Sequence, residues 1–448
     1  MTDIDVLIVG GGISGLSIAW WLAQAGISVE VWEQETRPGG KIQSVKADGY
    51  LTEQAASIVM NFRPEVSQFM IASGLEAYKM PRADTTNRYL VHDGQLLSLP
   101  MKLMPMIMSP LWSLRGKLRM FTEPFIPKGG HAQETVTEFI TRRLGSEVLE
   151  KAMGSYITGT LASDPDLANA YAVLPRLTAL EQRYGSIALG VLINKVLRRR
   201  TAAITEAFSF QGGMKTLIES LAQGIRFRPK HAVTKLEREG NNWRITSTNN
   251  RSVLAQQVVL STPANVAASL VKPLDNQLAK YLAGIKIAPL SVVHLGFPRA
   301  AIPHALDGTG FLTPRQEDFA VTGCLWMSSL FSDRAPQGKV LLSTYIGGAT
   351  QPAAVDWDDE RSITAVMEAL QSLLGINCDP ENVRIDRHYQ GLPLYHGNHT
   401  GRIAEIAKHL VHLPGLHLEA NYREGISVRD RIARAAKVAE QILAYRKL

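Results

Sequence analysis

The chain has 448 residues, too many for one hydrophobic core, so two or three interleaved lobes are expected. Hydrophobic residues make up 45% and charged residues 20%, a globular composition, and the net charge of +7 is spread out except at Arg198, Arg199 and Arg200. With no recognition motif, this balance argues against nucleic acid and suits an anionic substrate or membrane surface.

Cys324 and Cys378 lie far apart with no CxxC spacing, so neither a disulfide framework nor a metal site is expected, and a reducing, cytoplasmic compartment is the default. Asp3 and Asp5 precede the first apolar run, unlike a signal peptide. No stretch approaches the roughly 20 apolar residues of a spanning helix, which leaves open a protein lying on the inner face of a membrane.

The chain opens with Asp5-Val6-Leu7-Ile8-Val9, an apolar run that reads as a strand buried on both faces. Gly10, Gly12 and Gly15 follow as G-x-G-x-x-G, with Ile13 and Ser14 opening a helix that stops at Gly26. A second strand, Val29-Glu30-Val31-Trp32, ends at Glu33. Gly10 permits a tight turn, Gly12 lets a pyrophosphate approach the backbone, and Gly15 lets the helix pack on the strand. The helix N-terminus offers free N–H groups to the phosphates, and the Glu33 carboxylate suits ribose hydroxyls while repelling a 2′-phosphate.

The next residues are Gln34, Glu35, Thr36, Arg37, Pro38, Gly39, Gly40 and Lys41. This run resembles the E-x-x-x-x-x-G-G-[RK] extension of the amine-oxidase-type flavoprotein superfamily, which implies FAD as cofactor. By the same resemblance Gln34, Gly39, Gly40 and Lys41 lie along it.

The resemblance implies an α/β fold: a Rossmann-like FAD-binding domain, discontinuous in sequence, with an inserted mixed substrate domain and a helical membrane-facing subdomain. Its expected pieces are residues 1–63, 206–266 and 411–448 for the cofactor domain. Residues 64–205 read mostly helical, and residues 267–410 mix strands and helices as the substrate domain. Val233 would meet the adenine, and the closing strand–loop–helix would bring Asn421, Gly425 and Val428 to the flavin.

The middle of the chain narrows the resemblance. Gly159-Thr160-Leu161-Ala162-Ser163-Asp164-Pro165, then Pro175 through Ser186, Phe210-Gln211-Gly212-Gly213-Met214, and Leu392 through His399 resemble motifs of the oxygen-dependent protoporphyrinogen oxidase family. That similarity implies a six-electron oxidation of protoporphyrinogen IX or coproporphyrinogen III to the porphyrin in heme biosynthesis. Hydride would pass to flavin N5 and electrons to O2, giving H2O2. The chemistry then belongs to the flavin, and no catalytic side chain is expected. Arg88 falls where the family pairs a substrate propionate, and a guanidinium fork fits a carboxylate.

Residues 101–126 interleave Met101, Met104, Met106, Met108 and Met120 with Trp112, Phe121, Phe125, Lys102, Arg115, Lys117 and Arg119. Such a mixture suits either a helical core or a peripheral membrane contact. The sequence leaves a homodimer open.

Two departures from the family pattern stand out. Ala55 and Ala420 replace glycines expected near the flavin, where a methyl would shift the backbone or crowd the ring. They keep an alternative alive, an FAD-dependent amine or dihydropyrrole oxidase. Lys286 is the candidate for the flavin-bridging lysine such an enzyme would bring.

Overall fold

The computed structural model describes residues 3–84, 87–99, 103–197 and 206–445. Met101, Lys102 and the run Arg198, Arg199, Arg200 lie outside the described residues.

The opening strand, Ile4–Val9, lies inside a seven-stranded sheet. It pairs in parallel with Val29–Trp32 on one side and with Ser252–Leu260 on the other. Arg226–Arg228 extends the parallel block beyond Val29–Trp32, and Leu416–Leu418 pairs in parallel with Ser252–Leu260. An antiparallel meander, Val233–Glu239 and Asn242–Ser247, completes the sheet. One sheet is thus woven from three distant stretches of chain.

Val6, Leu7, Ile8, Val31, Val258 and Val259 are all fully buried, because helices cover both faces of the parallel block. Helices Ile13–Gln24 and Val428–Tyr445 pack on one face through Ile18, Leu22, Ala435 and Ile442. Helices Ala264–Val271 and Asn276–Ala283 cover the other through Ala267, Val271, Leu278 and Leu282. These last two helices lie against the cofactor sheet, although most of their residues fall within the stretch assigned above to the substrate domain.

A second seven-stranded sheet runs Asn382–Pro393, Ile287–Pro298, Lys339–Gly347, Val321–Trp326, Gly308–Leu312, Asn87–His92, Gln95–Ser98. It is antiparallel except where Asn87–His92 runs parallel to Gly308–Leu312. The stretch 64–205 therefore donates a hairpin to this sheet and is not wholly helical. The hairpin turns at Asp93 and Gly94, both in the left-handed region at φ 51° and 70°, as a two-residue Asp-Gly turn requires. Helix Asp359–Leu374 covers the sheet through Val366, Leu370 and Leu374.

The third lobe is helical, spanning residues 103–197. Trp112, Phe139, Ile140, Ile157 and Ile187 form its core together with Leu90 from the hairpin. Among the described residues no helix is long and apolar enough to cross a membrane.

Candidate cofactor and substrate site

The first parallel strand, Ile4–Val9, ends on a glycine turn. Gly10 donates to Trp32 O at 2.8 Å and takes φ 105°, a conformation costly for any side chain. A Cβ on Gly15 would stand 2.1 Å from the Gly10 carbonyl, so the helix axis rests directly on the turn. A Cβ on Gly12 would meet nothing within 4 Å. That open space lies at the N-terminus of helix Ile13–Gln24, where Ile13 and Ser14 form the first turn. Its unpaired N–H groups and positive dipole end make a phosphate cradle.

The second glycine pair closes the cradle from the side. Gly39 donates to Gly11 O at 2.7 Å and bridges to Gly12. Gly40, at φ 55°, brings its own Cβ position within 3.4 Å of the Gly12 Cα. Arg37 pins this turn by donating to Gly40 O at 3.1 Å. Lys41 follows half-buried, and burial lowers its ammonium pKa. Gln34 is exposed.

Glu33 lies buried beside the cradle. It accepts from Gly11 N at 2.6 Å and from Glu35 N at 3.0 Å. Its carbonyl accepts from His231 N at 2.7 Å, which brings Val233, at the head of the meander, near the same end of the sheet. Val233 thus follows two residues after a backbone contact to Glu33.

Residues 419–428 arrive at the same edge, the carboxyl ends of the parallel strands, where open α/β sheets bind ligands. Glu419 N donates to Leu260 O at 3.1 Å. Asn421 O accepts from Tyr395 Oη at 2.6 Å. Gly425 sits at φ 102° over Asp430, and Val428 packs with Leu16 at the start of the closing helix. The hub of this loop is Arg431, which sequence reasoning missed. It is buried and donates to Glu419 Oε1 at 2.6 Å, Ala420 O at 2.7 Å, and the Arg423 and Glu424 carbonyls at 2.5 and 2.8 Å. No local pattern signals it, because an arginine in a helix start ordinarily faces water.

The protein around the cradle fits a dinucleotide. The buried hydroxyls of Ser261 and Thr262, beside Gly10, find no partner among the described residues. Unsatisfied polar groups of this kind are costly unless a ligand meets them.

The departures at Ala55 and Ala420 do not strain the backbone: neither residue has a positive φ. Ala420 is buried in the apolar core behind the sheet, with Leu418 and Tyr422, so its methyl has a place there. The Ala55 loop is held by strand Asn382–Pro393 of the second large sheet. Gln54 Nε2 donates to Asp386 at 3.0 Å, and His388 contacts Gln54 O at 2.6 Å. Asp386, drawn down to about 2, is stabilised by His294 and Arg384 against the cost of its burial.

Just before it, Glu53 accepts from Ser44 Oγ at 2.7 Å and Met214 N at 2.9 Å, tying the Gly212-Gly213-Met214 turn to the cradle. Burial pushes Glu53 up to about 7, against the opposing pull of those donors and Arg334.

The other motif segments also converge. Ser163 meets His396 Nε2 at 3.0 Å, and Asn169 N donates to Tyr395 O at 2.8 Å. Tyr395 stacks on His399 with ring centroids 4.1 Å apart, and burial lowers His399 to about 4.

Arg88 is not part of the cradle. It lies half-buried on the second sheet, beside Arg82 and Tyr156, and no acidic side chain ion-pairs with it among the described residues. Burial and Arg82 both disfavour its charged form. Lys286 has an exposed side chain and offers only its carbonyl, to Leu394 N, which does not suit a flavin-bridging lysine. Cys324 is buried, its thiol pushed up to about 12 by burial, and Cys378 is half-buried; both are free.

Comparison with known proteins agrees with this geometry. The coproporphyrinogen III oxidase of Bacillus subtilis (strain 168) is 28% identical over 462 residues, 98% of each chain. Protoporphyrinogen oxidase 2 of Arabidopsis thaliana, chloroplastic/mitochondrial, is 28% identical over 98% of this chain and 94% of its own. The crystal structure of a putative protoporphyrinogen oxidase from Exiguobacterium sp. 255-15 superposes with a TM-score of 0.82 at 24% identity, covering 99% of both chains, and so shares the fold. The family model for flavin containing amine oxidoreductases matches residues 13–401. The chain belongs to the flavin-containing amine oxidoreductase family, and its cofactor is FAD.

Proposed function

We propose that this protein oxidises a porphyrinogen to the porphyrin in heme biosynthesis, using FAD, with O2 as acceptor and H2O2 as product. The observation that carries the reading is similarity along the whole chain to porphyrinogen oxidases. Bound FAD supplies the hydride acceptor. The chain's own residues bind and orient: Gly10, Gly12, Ile13, Ser14 and Gly15 hold the pyrophosphate, while Glu33 and Val233 hold the adenosine. Gly39, Gly40, Lys41, Asn421, Gly425 and Val428 flank the rest of the cofactor. The uncompensated charge of Arg88 receives a substrate propionate, where a charge-assisted hydrogen bond is worth about 1.5–3 kcal/mol.

The test is to mix the flavin-loaded protein with protoporphyrinogen IX or coproporphyrinogen III in air and follow porphyrin fluorescence. Fast, flavin-dependent porphyrin formation is expected. A rate no faster than the substrates' own autoxidation overturns the reading in favour of an amine or dihydropyrrole oxidase.

A peripheral membrane contact at the inner face is favoured by a separate observation. Helix Leu114–Phe121 and the turn after it expose Leu114 at 85%, Leu118 at 65% and Phe125 at 85%, beside Arg115 and Lys117. Helix Ile187–Leu197 exposes Leu192 and Val196 at 57% and 61%. Glu123 joins the two stripes, accepting from Ile187 N at 3.0 Å and Ala188 N at 3.1 Å. Apolar stripes edged with cations suit an anionic lipid surface. Co-flotation with phosphatidylglycerol vesicles is expected. A protein that stays in solution with them but sediments as a dimer places a second copy on this face instead.

A further inference from the structure

Beyond Arg88, the structure holds a second group of cations at the start of the closing helix. Phe62 is sandwiched between the guanidinium groups of Arg176, 3.4 Å from its ring centroid, and Arg429, at 4.1 Å. Arg429 Nη1 donates to Met60 O at 3.0 Å. Arg63 pairs with Asp430 at 3.1 Å, while Arg429 Nε lies 3.7 Å from the same carboxylate and finds no hydrogen-bond partner. Asp430 is further engaged by Ser427 Oγ at 2.6 Å.

One carboxylate thus serves two guanidiniums and leaves a positive charge over. The placement is unfavourable in the free protein, because the positive end of helix Val428–Tyr445 repels cations. Burial also disfavours the charged form of Arg429. An arriving anion relieves both.

Tyr156, exposed on helix Gly154–Leu161, is within electrostatic reach of both Arg88 and Arg429. Arg82 adds its charge beside Arg88, and Arg63 beside Arg429. Among the described residues, Asp430 is the sole carboxylate ion-paired with any of these four arginines.

We infer that Arg63 and Arg429 form a second carboxylate site, which together with Arg88 selects a substrate with carboxylate arms on opposite edges: a tetracarboxylate porphyrinogen of the coproporphyrinogen class. The inference rests on the porphyrinogen reading. Protoporphyrinogen carries two propionates on neighbouring rings, so it engages one site at a time. Coproporphyrinogen carries two more on the other rings and engages both.

The experiment compares kcat/KM for coproporphyrinogen III and protoporphyrinogen IX in the flavin-loaded wild type, R63M and R63M/R429M. Equilibrium binding of the two product porphyrins is read in parallel by fluorescence quenching. The wild type is expected to favour the tetracarboxylate by about tenfold or more, the worth of one charge-assisted contact. The substitutions bring that ratio toward one in both readouts, and R63K/R429K restores most of it.

A wild type that prefers protoporphyrinogen overturns the inference, as do variants that lower both substrates equally. In either case the porphyrinogen reading stands. A flavin-loaded wild type that turns over neither substrate sinks both. Arg63, extended just before helix Pro64–Ala72 with its side chain 40% exposed, carries the test alone if the double variant does not fold.

Discussion

The cofactor sheet and the helical lobe are held together by opposite means. The sheet's centre is largely apolar, with Glu30 and Gln257 as buried exceptions, and the cradle at its edge is built mainly from backbone: turns, N–H groups and spaces left by missing side chains, with the buried Arg431–Glu419 pair confined to the closing loop and helix. The lobe has an apolar core too, but a chain of buried charges runs through it. Arg143 and Glu123 are both fully buried and paired, and Arg143 also donates to the Ile126 and Gly185 carbonyls. Arg142 links Glu134 and Glu181 at 2.7 Å each, and Ser186 closes the circuit onto Glu123 at 2.6 Å. In the sheet, a lost methylene costs its burial and the cavity it leaves. In the lobe, a lost partner strands a charge away from water.

The largest effect is therefore expected from Glu123→Ala. Removing this carboxylate leaves Arg143 buried without a counter-ion and frees the N-terminus of helix Ile187–Leu197. A loss of about 3–5 kcal/mol is expected, read as a fall in the urea midpoint. Glu123→Gln keeps an acceptor and loses less. A change under about 1 kcal/mol would mean that the pair is solvated and that the lobe is apolar in its energetics after all.

The glycines sharpen the other side of the comparison. Gly15→Ala drives a methyl to within 2.1 Å of the Gly10 carbonyl, and overpacking of this kind costs about 1–3 kcal/mol. Gly12→Ala adds its methyl to open space, at a φ of −76° that any residue adopts. Its stability without flavin is expected to match the wild type within about 0.5 kcal/mol. Yet its yellow absorbance after gel filtration is expected to be lost, because the methyl stands where phosphate must approach. Equal flavin retention in both variants would remove the cradle from cofactor binding.

The same contrast decides what could be read from sequence. Gly10, Gly12, Gly15 and Glu33 fall within one strand–turn–helix–strand crossover, so their spacing marks them, while Gly39 and Gly40 are marked by the family resemblance. The Glu123–Arg143–Glu181 network, the Ser163–His396 contact and the Arg431 hub join residues that meet only in the finished fold. The hairpin in the 64–205 stretch is an intermediate case. Its Asp93-Gly94 turn is a local signal, but its parallel partner, Gly308–Leu312, lies more than 200 residues away. Ala55 and Ala420 stand where the family pattern has glycine, and sequence carries no φ to show what a methyl does there. The structure gives both residues ordinary backbone.

A smaller, pH-dependent effect separates Glu53 from the ion pairs of the lobe. Its carboxyl is raised from 4.5 to about 7 by burial. Between those values the folded protein keeps a proton that the unfolded chain has released. Stability attributable to this group is therefore full below about pH 4.5, falls as pH rises toward 7, and is level above. Asp386, lowered to about 2, has the opposite sign: its contribution is present above its unfolded pKa and lost as pH falls toward 2. Glu53→Gln is expected to flatten the slope of the denaturation midpoint between pH 5 and 7. An unchanged slope would assign the titration elsewhere.

The smallest effect on stability is expected where the lobe's apolar residues face outward. Leu118 and Phe125 are 65% and 85% exposed, so replacing both with glutamate removes little buried area. It also adds charge beside Arg115 and Lys117. The expected change in stability is within about 0.5 kcal/mol, with flavin content as in the wild type. Binding to anionic vesicles, in contrast, is expected to fall several-fold, since each apolar anchor is lost and each new carboxylate is repelled by the lipid charge. Unaltered vesicle binding would assign the contact to another face. A large stability loss would mean that these side chains are covered in solution, as a second copy of the chain would cover them. Either outcome redraws the boundary between the charge-held interior of the lobe and its apolar outer face.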